Sequence, residues 1–166
     1  RYHKNVCQQP SEDLLNDICH IDQRCIEYGI LEPKTFCYPG YQYNEDSVQV
    51  VKNHGFTFAR RGVAPEFEYD GHGGRGPAYD PKRHHPLLIP TTGASGPNWR
   101  WDDFLWALDQ AKNGEICILT FHGVPALEHP WVNTSPEQFE KYMQYMKDNT
   151  FQVISLGALA QFNDNL

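Results

Sequence analysis

Three short runs in the chain join a chemically active side chain to a backbone that changes direction: Tyr38-Pro39-Gly40, Arg60-Arg61 and His122-Gly123. His122 leaves a strongly apolar run. An imidazole there can act as a general acid or base, because its pKa lies near neutrality. The same position suits a histidine satisfied by a backbone carbonyl. Arg60 can bind or orient a carboxylate, or be a solvated charge. Gly40 follows a proline and can offer its N–H to an oxyanion, or simply make a turn.

Such groups act only if regular elements hold them. Residues 11–28 repeat Leu14, Ile18, Ile21, Cys25 and Tyr28 at four- and three-residue spacing, which predicts a helix with one apolar face. Ser11 reads as its N-cap, with Glu12 and Asp13 at the positive end and Gly29 as a left-handed stop. Residues 35–38 read as a short strand. Residues 45–54 read as a second helix, capped by Asn44, with Val48 and Val51 inward and Gly55 as its stop. Residues 56–60 read as another short strand. The order helix, strand, helix, strand predicts parallel strands joined by helical crossovers. In such folds active groups gather at the C-terminal ends of strands, where all three runs fall.

Residues 62–98 are rich in Gly, Pro and His, including Gly71-His72-Gly73-Gly74, and show no period. They are predicted to run over the surface; a loop that long usually serves function or hides small elements. A helix then follows, capped by Asp102 or Asp103, carrying Phe104, Leu105, Leu108 and Ala111 and ended by Gly114. Residues 115–121 read as a strand buried on both faces. Ser135-Pro136-Glu137-Gln138 is a capping box that opens a helix with Phe139, Tyr142, Met143 and Met146 on one face. Residues 151–155 read as a last strand and residues 156–162 as a short helix. The expected fold class is α/β, with a parallel barrel or part of one favoured over an open sheet.

The 166 residues are enough for one medium domain with a real core. Nine Phe, nine Tyr and four Trp are too many rings to leave in water, which excludes a disordered chain. A net charge of −7 offers nothing to offset phosphate, so no nucleic-acid partner is expected. No apolar stretch approaches a transmembrane length. The five cysteines, Cys7, Cys19, Cys25, Cys37 and Cys117, form no C-x-x-C pair, and their odd number favours buried free thiols over disulfides.

Thr35-Phe36-Cys37-Tyr38-Pro39-Gly40, followed by Asn53-His54-Gly55-Phe56 and Ala59-Arg60-Arg61, resembles the central motif of the polysaccharide deacetylases (carbohydrate esterase family 4). One branch of that family reads Phe-Ala-Tyr-Pro-Gly at this point. Ile118-Leu119-Thr120-Phe121-His122-Gly123-Val124 resembles the family's late Leu-x-His motif. Ser135-Pro136 with Phe139, then residues 151–156, resembles its closing helix and strand. The likeness covers nearly the whole chain, thinly through residues 62–98.

The resemblance implies the C-terminal portion of a distorted (β/α) barrel, a single domain over residues 1–166 lacking its N-terminal strands and first motifs. It implies metal-dependent hydrolysis of N- or O-acetyl groups on a polysaccharide. The metal, zinc in the first instance, is held in that family by one Asp and two His. Arg1-Tyr2-His3 looks like the end of the family's His-Thr/Ser-x-x-His motif, which puts a metal ligand at His3. The family's Thr-Phe-Asp-Asp motif, source of the base and the metal Asp, has no counterpart here, so the isolated chain is expected to be inactive. His122 would protonate the leaving group and the Gly40 N–H would hold the oxyanion. Tyr38, Pro39 and Thr120 would fall against the substrate.

Two departures stand out. Cys37 occupies the place where the family often has an Arg, which leaves Arg60 as a stand-in. Thr120 occupies the place of a Leu. Asp102 and Asp103 are candidates to tune the catalytic His. Trp99, Trp101, Tyr41 and Tyr43 are candidates to stack on sugar rings, with core packing as the alternative for each. Two other readings are a hydrolase of small non-sugar amides and a non-catalytic carbohydrate-binding or structural relative. Tight zinc held within the chain would direct attention to His72, His84, His85 and His129. A sugar-polymer substrate favours a secreted or periplasmic location.

Overall fold

The computed structural model describes residues 3–68 and 74–162. Arg1 and Tyr2 of the N-terminal motif, and Gly71-His72-Gly73, lie outside the described residues. The chain is mixed α/β and divides into two compact units.

The first unit comprises Arg1–Gly62, Arg83–Ile89 and Leu156–Leu166. Its elements are α1 (Ser11–Glu27), β1 (Thr35–Cys37), α2 (Glu45–His54) and β2 (Phe58–Arg60). The expected parallel pairing is present, with Thr35 opposite Phe58, Phe36 opposite Ala59 and Cys37 opposite Arg60. Ile89 extends this ladder: its N–H donates to the Ala59 carbonyl at 2.9 Å, and the Arg61 N–H donates to the Ile89 carbonyl at 2.8 Å. The start of α2 is fixed by reciprocal bonds. The Ser47 N–H donates to Asn44 Oδ1 and the Asn44 N–H to Ser47 Oγ, each at 2.9 Å. Gly55, at φ +95, ends the helix as read.

Leu14, Ile18, Tyr38, Val51, Phe56, Ala59 and Leu87 form the core of this unit. The helix α1 stops at a left-handed Gly29, φ +68, as read, but departs from expectation at its start and along its apolar face. Pro10 holds the N-cap position, and Ser11 is the first helical residue. Only Leu14 and Ile18 of the apolar stripe are buried, while Ile21 and Tyr28 face solvent. The core reaches only the first half of the helix, up to the point where Asp22 meets His54.

The second unit comprises Val63–Lys82 and Pro90–Ser155. It holds β3 (Gly74–Arg75), β4 (Gly93–Ala94), α3 (Trp101–Asp109), β5 (Leu119–Thr120) and α4 (Pro136–Asp148). The sheet order is β3-β4-β5, with β3 antiparallel and β5 parallel to β4. Trp99, Phe104, Ala107, Leu108, Tyr142 and Met146 make its core. Ser135 caps α4 as expected, accepting from the Gln138 N–H at 3.1 Å. In α3 the N-cap is Arg100, not an Asp. Asp103 instead reaches back to the Arg100 N–H at 2.8 Å and accepts from Arg75 Nε at 2.8 Å.

Residues 62–98 are not the surface excursion that their composition suggests. Val63, Ala78, Tyr79, Ile89, Thr91 and Thr92 are buried, and β3 and β4 lie within the run. The pattern hides because the buried positions are polar or tiny. The Thr92 hydroxyl donates to the Pro77 carbonyl at 3.0 Å and accepts from the Ile118 N–H at 2.9 Å. Gly93 lies so close to Trp99 that a Cβ would sit 2.7 Å from the indole.

Three other readings change. Within residues 115–121 only Leu119–Thr120 is strand, and it is half-buried. Residues 151–155 form no strand, and Phe151 and Val153 are exposed. The thiols are free as expected, but Cys7, Cys19 and Cys37 are exposed. Small, weakly polar side chains tolerate either setting, so composition does not place them. Among the described residues the strands make a two-stranded and a three-stranded sheet rather than a closed barrel. Among the described residues no helix is long and apolar enough to cross a membrane.

Candidate functional site

In the first unit the candidate residues gather where β1 and β2 end. Immediately after Cys37 the chain turns sharply: Gly40 has φ +59 and Tyr41 has φ +62. Two left-handed residues in succession, one with a full side chain, are backbone strain of the sort concentrated at functional sites. The turn is closed by the Tyr41 N–H donating to the Tyr38 carbonyl at 2.9 Å and the Gln42 N–H to the Pro39 carbonyl at 3.3 Å. Gly40 is exposed and has open space where a Cβ would be.

The residue Arg60, register partner of Cys37, donates from Nη2 to its Sγ at 2.8 Å and lies over the Tyr41 ring at 5.1 Å. The structure thus joins Cys37, Gly40, Tyr41 and Arg60. Tyr38 is different. It is fully buried against Phe36 and Tyr43, and its hydroxyl has no hydrogen-bond partner among the described residues. Burial pushes its phenol well above the usual tyrosine range. Tyr38 shapes the turn from beneath rather than facing solvent. Arg61 is also buried, donating from Nε to the Leu88 carbonyl at 3.1 Å and from Nη1 to the Gly62 carbonyl at 3.2 Å.

In the second unit, Thr120 closes β5 and His122 stands two residues beyond it, the spacing that returns a strand to the same face. His122 is exposed, while Thr120 Oγ1 is buried without a partner among the described residues. His122 meets His129 edge-on, centroids 5.0 Å apart at 86°, and His129 meets Trp131 at 5.1 Å and 63°. Of the tryptophans read as sugar platforms, Trp99 is only 2% exposed, a core residue with no free face. Trp101 stacks on Tyr142 at 5.9 Å and carries Lys141 Nζ 4.3 Å from its centroid. The open ring is Trp131, at 68% exposure. The sequence does hold a signal for it. Trp131 sits in a polar stretch outside every periodic segment, so no core face is available to it.

Metal-type donors come together at one place among the described residues: Asp22, Glu32 and His54 offer atoms within 4.8 Å of one another. His54 Nε2 lies 2.5 Å from Asp22 Oδ2, and Lys34 Nζ lies 2.8 Å from Glu32. That ammonium holds the Glu32 carboxyl below the usual range. Each of the three residues therefore already has a partner, although Asp22 Oδ1 is buried without one among the described residues. They also lie before β1 and β2, at the end of the parallel pair opposite Gly40 and Arg60. His3 is exposed. His84, His85 and His129 belong to no such group among the described residues, and His85 Nδ1 accepts from the Leu87 N–H at 3.1 Å. His72 lies outside the described residues.

No family model matches the chain, and neither the curated proteins nor the solved structures contain a match.

Proposed function

We propose that this chain takes part in removing acetyl groups from a polysaccharide, on a portion of the (β/α) barrel used by the deacetylases it resembles. One observation carries the reading. His122 leaves the C-terminal end of a parallel strand with its imidazole in solvent. There it can protonate a departing amine or alcohol as the C–N or C–O bond of the tetrahedral water adduct breaks. In the first unit, taken by itself, the Gly40 N–H and the Arg60 guanidinium stand at the ends of β1 and β2 as donors to an anionic group.

A divalent metal goes with this chemistry in the family that the chain resembles, where it would supply Lewis acidity toward the acetyl carbonyl and toward water. The described residues do not assemble a place for it. His3 is one exposed donor, and a catalytic site needs about three protein ligands. The Asp22–Glu32–His54 group lies at the wrong strand end. No step is routed through a metal, and the roles above belong to the chain's own residues. The incomplete donor set also favours a second reading, a carbohydrate-binding relative without hydrolysis.

Acetate release separates the two. The protein at its full length, supplied with zinc, cobalt or manganese, is offered N-acetylated chito-oligosaccharides and acetylated xylan. Release of acetate, lowered about 10²–10⁴-fold in His122→Ala, is the expected result. No release from either polymer rejects the hydrolase, and full release by His122→Ala rejects the role of His122.

A further inference from the structure

Residues 122–134 form a loop that is tied to itself at almost every step. Gly123 and Asn133 bridge its two ends, and the Thr134 N–H donates to the Gly123 carbonyl at 3.3 Å. Inside, Asn133 Oδ1 accepts from the Ala126 N–H at 2.6 Å. The His129 N–H donates to the Ala126 carbonyl at 3.1 Å, and the Val132 N–H to the His129 carbonyl at 3.0 Å. The base is anchored below: Thr134 is fully buried and its hydroxyl shares a 2.8 Å bond with Ser95 Oγ. Gly123 is packed so closely that a Cβ would sit 2.9 Å from that of Ala126.

This stiff loop holds outward what a protein normally hides. Trp131 exposes two-thirds of its surface, beside two exposed imidazoles in a continuous edge-to-face row. Indole is the largest apolar ring available, and a rigid exposed one is a ready contact surface, because little ordering entropy remains to be lost when a ligand arrives. The ligand must be flat and apolar on one face and rich in hydroxyls around its rim. The indole then covers the face, while the His129 ring nitrogens donate to or accept from the rim. A pyranose ring has that chemistry; a small acyl amide does not.

We propose that Trp131 and His129 form a carbohydrate subsite, which holds a sugar unit of the chain adjoining the one presented to His122. The assignment rests on the reading of His122 as the acid, and it names the substrate as a polymer rather than a small amide. Trp131 is the stacking residue and His129 the hydrogen-bonding one.

The test is binding, read apart from hydrolysis. Chitotetraose is titrated into the wild-type protein, Trp131→Ala, Trp131→Phe and His129→Ala by calorimetry, with near-ultraviolet circular dichroism to verify the fold. Trp131→Ala should weaken binding about tenfold or more, equivalent to ~1.4 kcal/mol. Trp131→Phe should restore most of it, which a merely structural role would not require. Equal affinity of wild type and Trp131→Ala overturns the subsite, as does a wild type that binds no tetramer. The two readings fail separately. Acetate release lost in His122→Ala but tetramer binding unchanged in Trp131→Ala overturns the subsite alone. Tetramer binding that depends on Trp131 in a protein that releases no acetate supports the subsite and removes only the hydrolase.

Discussion

Arg60 Nη2 donates to Cys37 Sγ at 2.8 Å, across the one rung of the parallel ladder that joins the two motif ends. The two residues are 23 apart in sequence. The Tyr41 ring supports the guanidinium from another side. The Arg60 side chain is therefore held at the strand end rather than free to swing, which a residue that orients a ligand requires.

The neighbouring arginines are expected to separate cleanly on mutation. Arg60→Ala loses a thiol contact and a ring contact at a partly open position, so it should cost about 1 kcal/mol or less. Arg61→Ala removes a guanidinium that is 97% buried and strips the Leu88 and Gly62 carbonyls of a donor. That should cost about 2–4 kcal/mol. Urea unfolding of both variants decides it; equal losses would show that Arg61 is not the structural one. Under the proposed function, Arg60→Ala is the one that loses acetate release at near-normal stability.

The glycines give a graded series. Gly40→Ala meets nothing within 4 Å, so its cost is only the left-handed backbone, about 1 kcal/mol. Gly93→Ala drives a methyl into the Trp99 ring at 2.7 Å and the Leu119 side chain at 2.9 Å. Gly76→Ala meets the Thr91 carbonyl oxygen and Val63. The last two should cost about 3 kcal/mol or more, because backbone and core rings cannot move aside cheaply. Thermal melts should rank Gly40→Ala far above the other two. A ranking with Gly40→Ala lowest would mean that the turn, not the core, limits stability.

These contrasts also show what the sequence reveals. The bounds of α2 are legible, since Asn44 and Gly55 are local signals that act on their own neighbours. So is the parallel order of β1 and β2, which follows from helix-length connections. The region around β4 was not legible, because its buried residues are Thr91, Thr92 and Gly93, whose burial depends on partners far away in sequence, at Ile118 and Trp99. The candidate residues Gly40, Arg60 and His122 were legible from their strand ends. Trp131 has no strand end or helix period to mark it; its exposure follows only from the absence of a core face in the polar stretch around it.

The His54–Asp22 contact between α1 and α2 should be measurable as a coupling. His54 and Asp22 are each only about one-sixth exposed and lie 2.5 Å apart, 32 positions from each other in sequence. Removing either leaves the other half-buried and unpaired, so each single variant should cost about 1–2 kcal/mol. In a double-mutant cycle, Asp22→Ala with His54→Ala should recover about 1 kcal/mol of the summed loss. Strict additivity would show that the pair is a contact without energy. If the group instead held zinc tightly, adding zinc would raise the wild-type melting temperature and leave the double variant unmoved.

Cys117 gives stability an alkaline limit. Burial pushes its thiol up to about 12 from an ordinary value of 9.0, only partly offset by its hydrogen bond with Thr92. Below the ordinary value both the folded and unfolded chains hold the proton, and the group has no effect on the balance. Above it the unfolded chain releases the proton and the folded chain keeps it, so stability must fall as pH rises, until the folded thiol also ionises near 12. The slope from this one group is at most about 1.4 kcal/mol per pH unit. Tyr38 and Tyr142, whose phenols burial also raises, add losses of the same sign from the ordinary tyrosine value of 10.0 upward. The window between the two ordinary values therefore isolates the thiol. Urea unfolding across it should show wild-type stability declining while Cys117→Val, which keeps the packing and removes the proton, declines less. Iodoacetamide at the same pH should label the exposed Cys7, Cys19 and Cys37 long before Cys117. Parallel slopes in the two proteins, or early labelling of Cys117, would place that thiol in water rather than in the core beside Leu119 and Phe121.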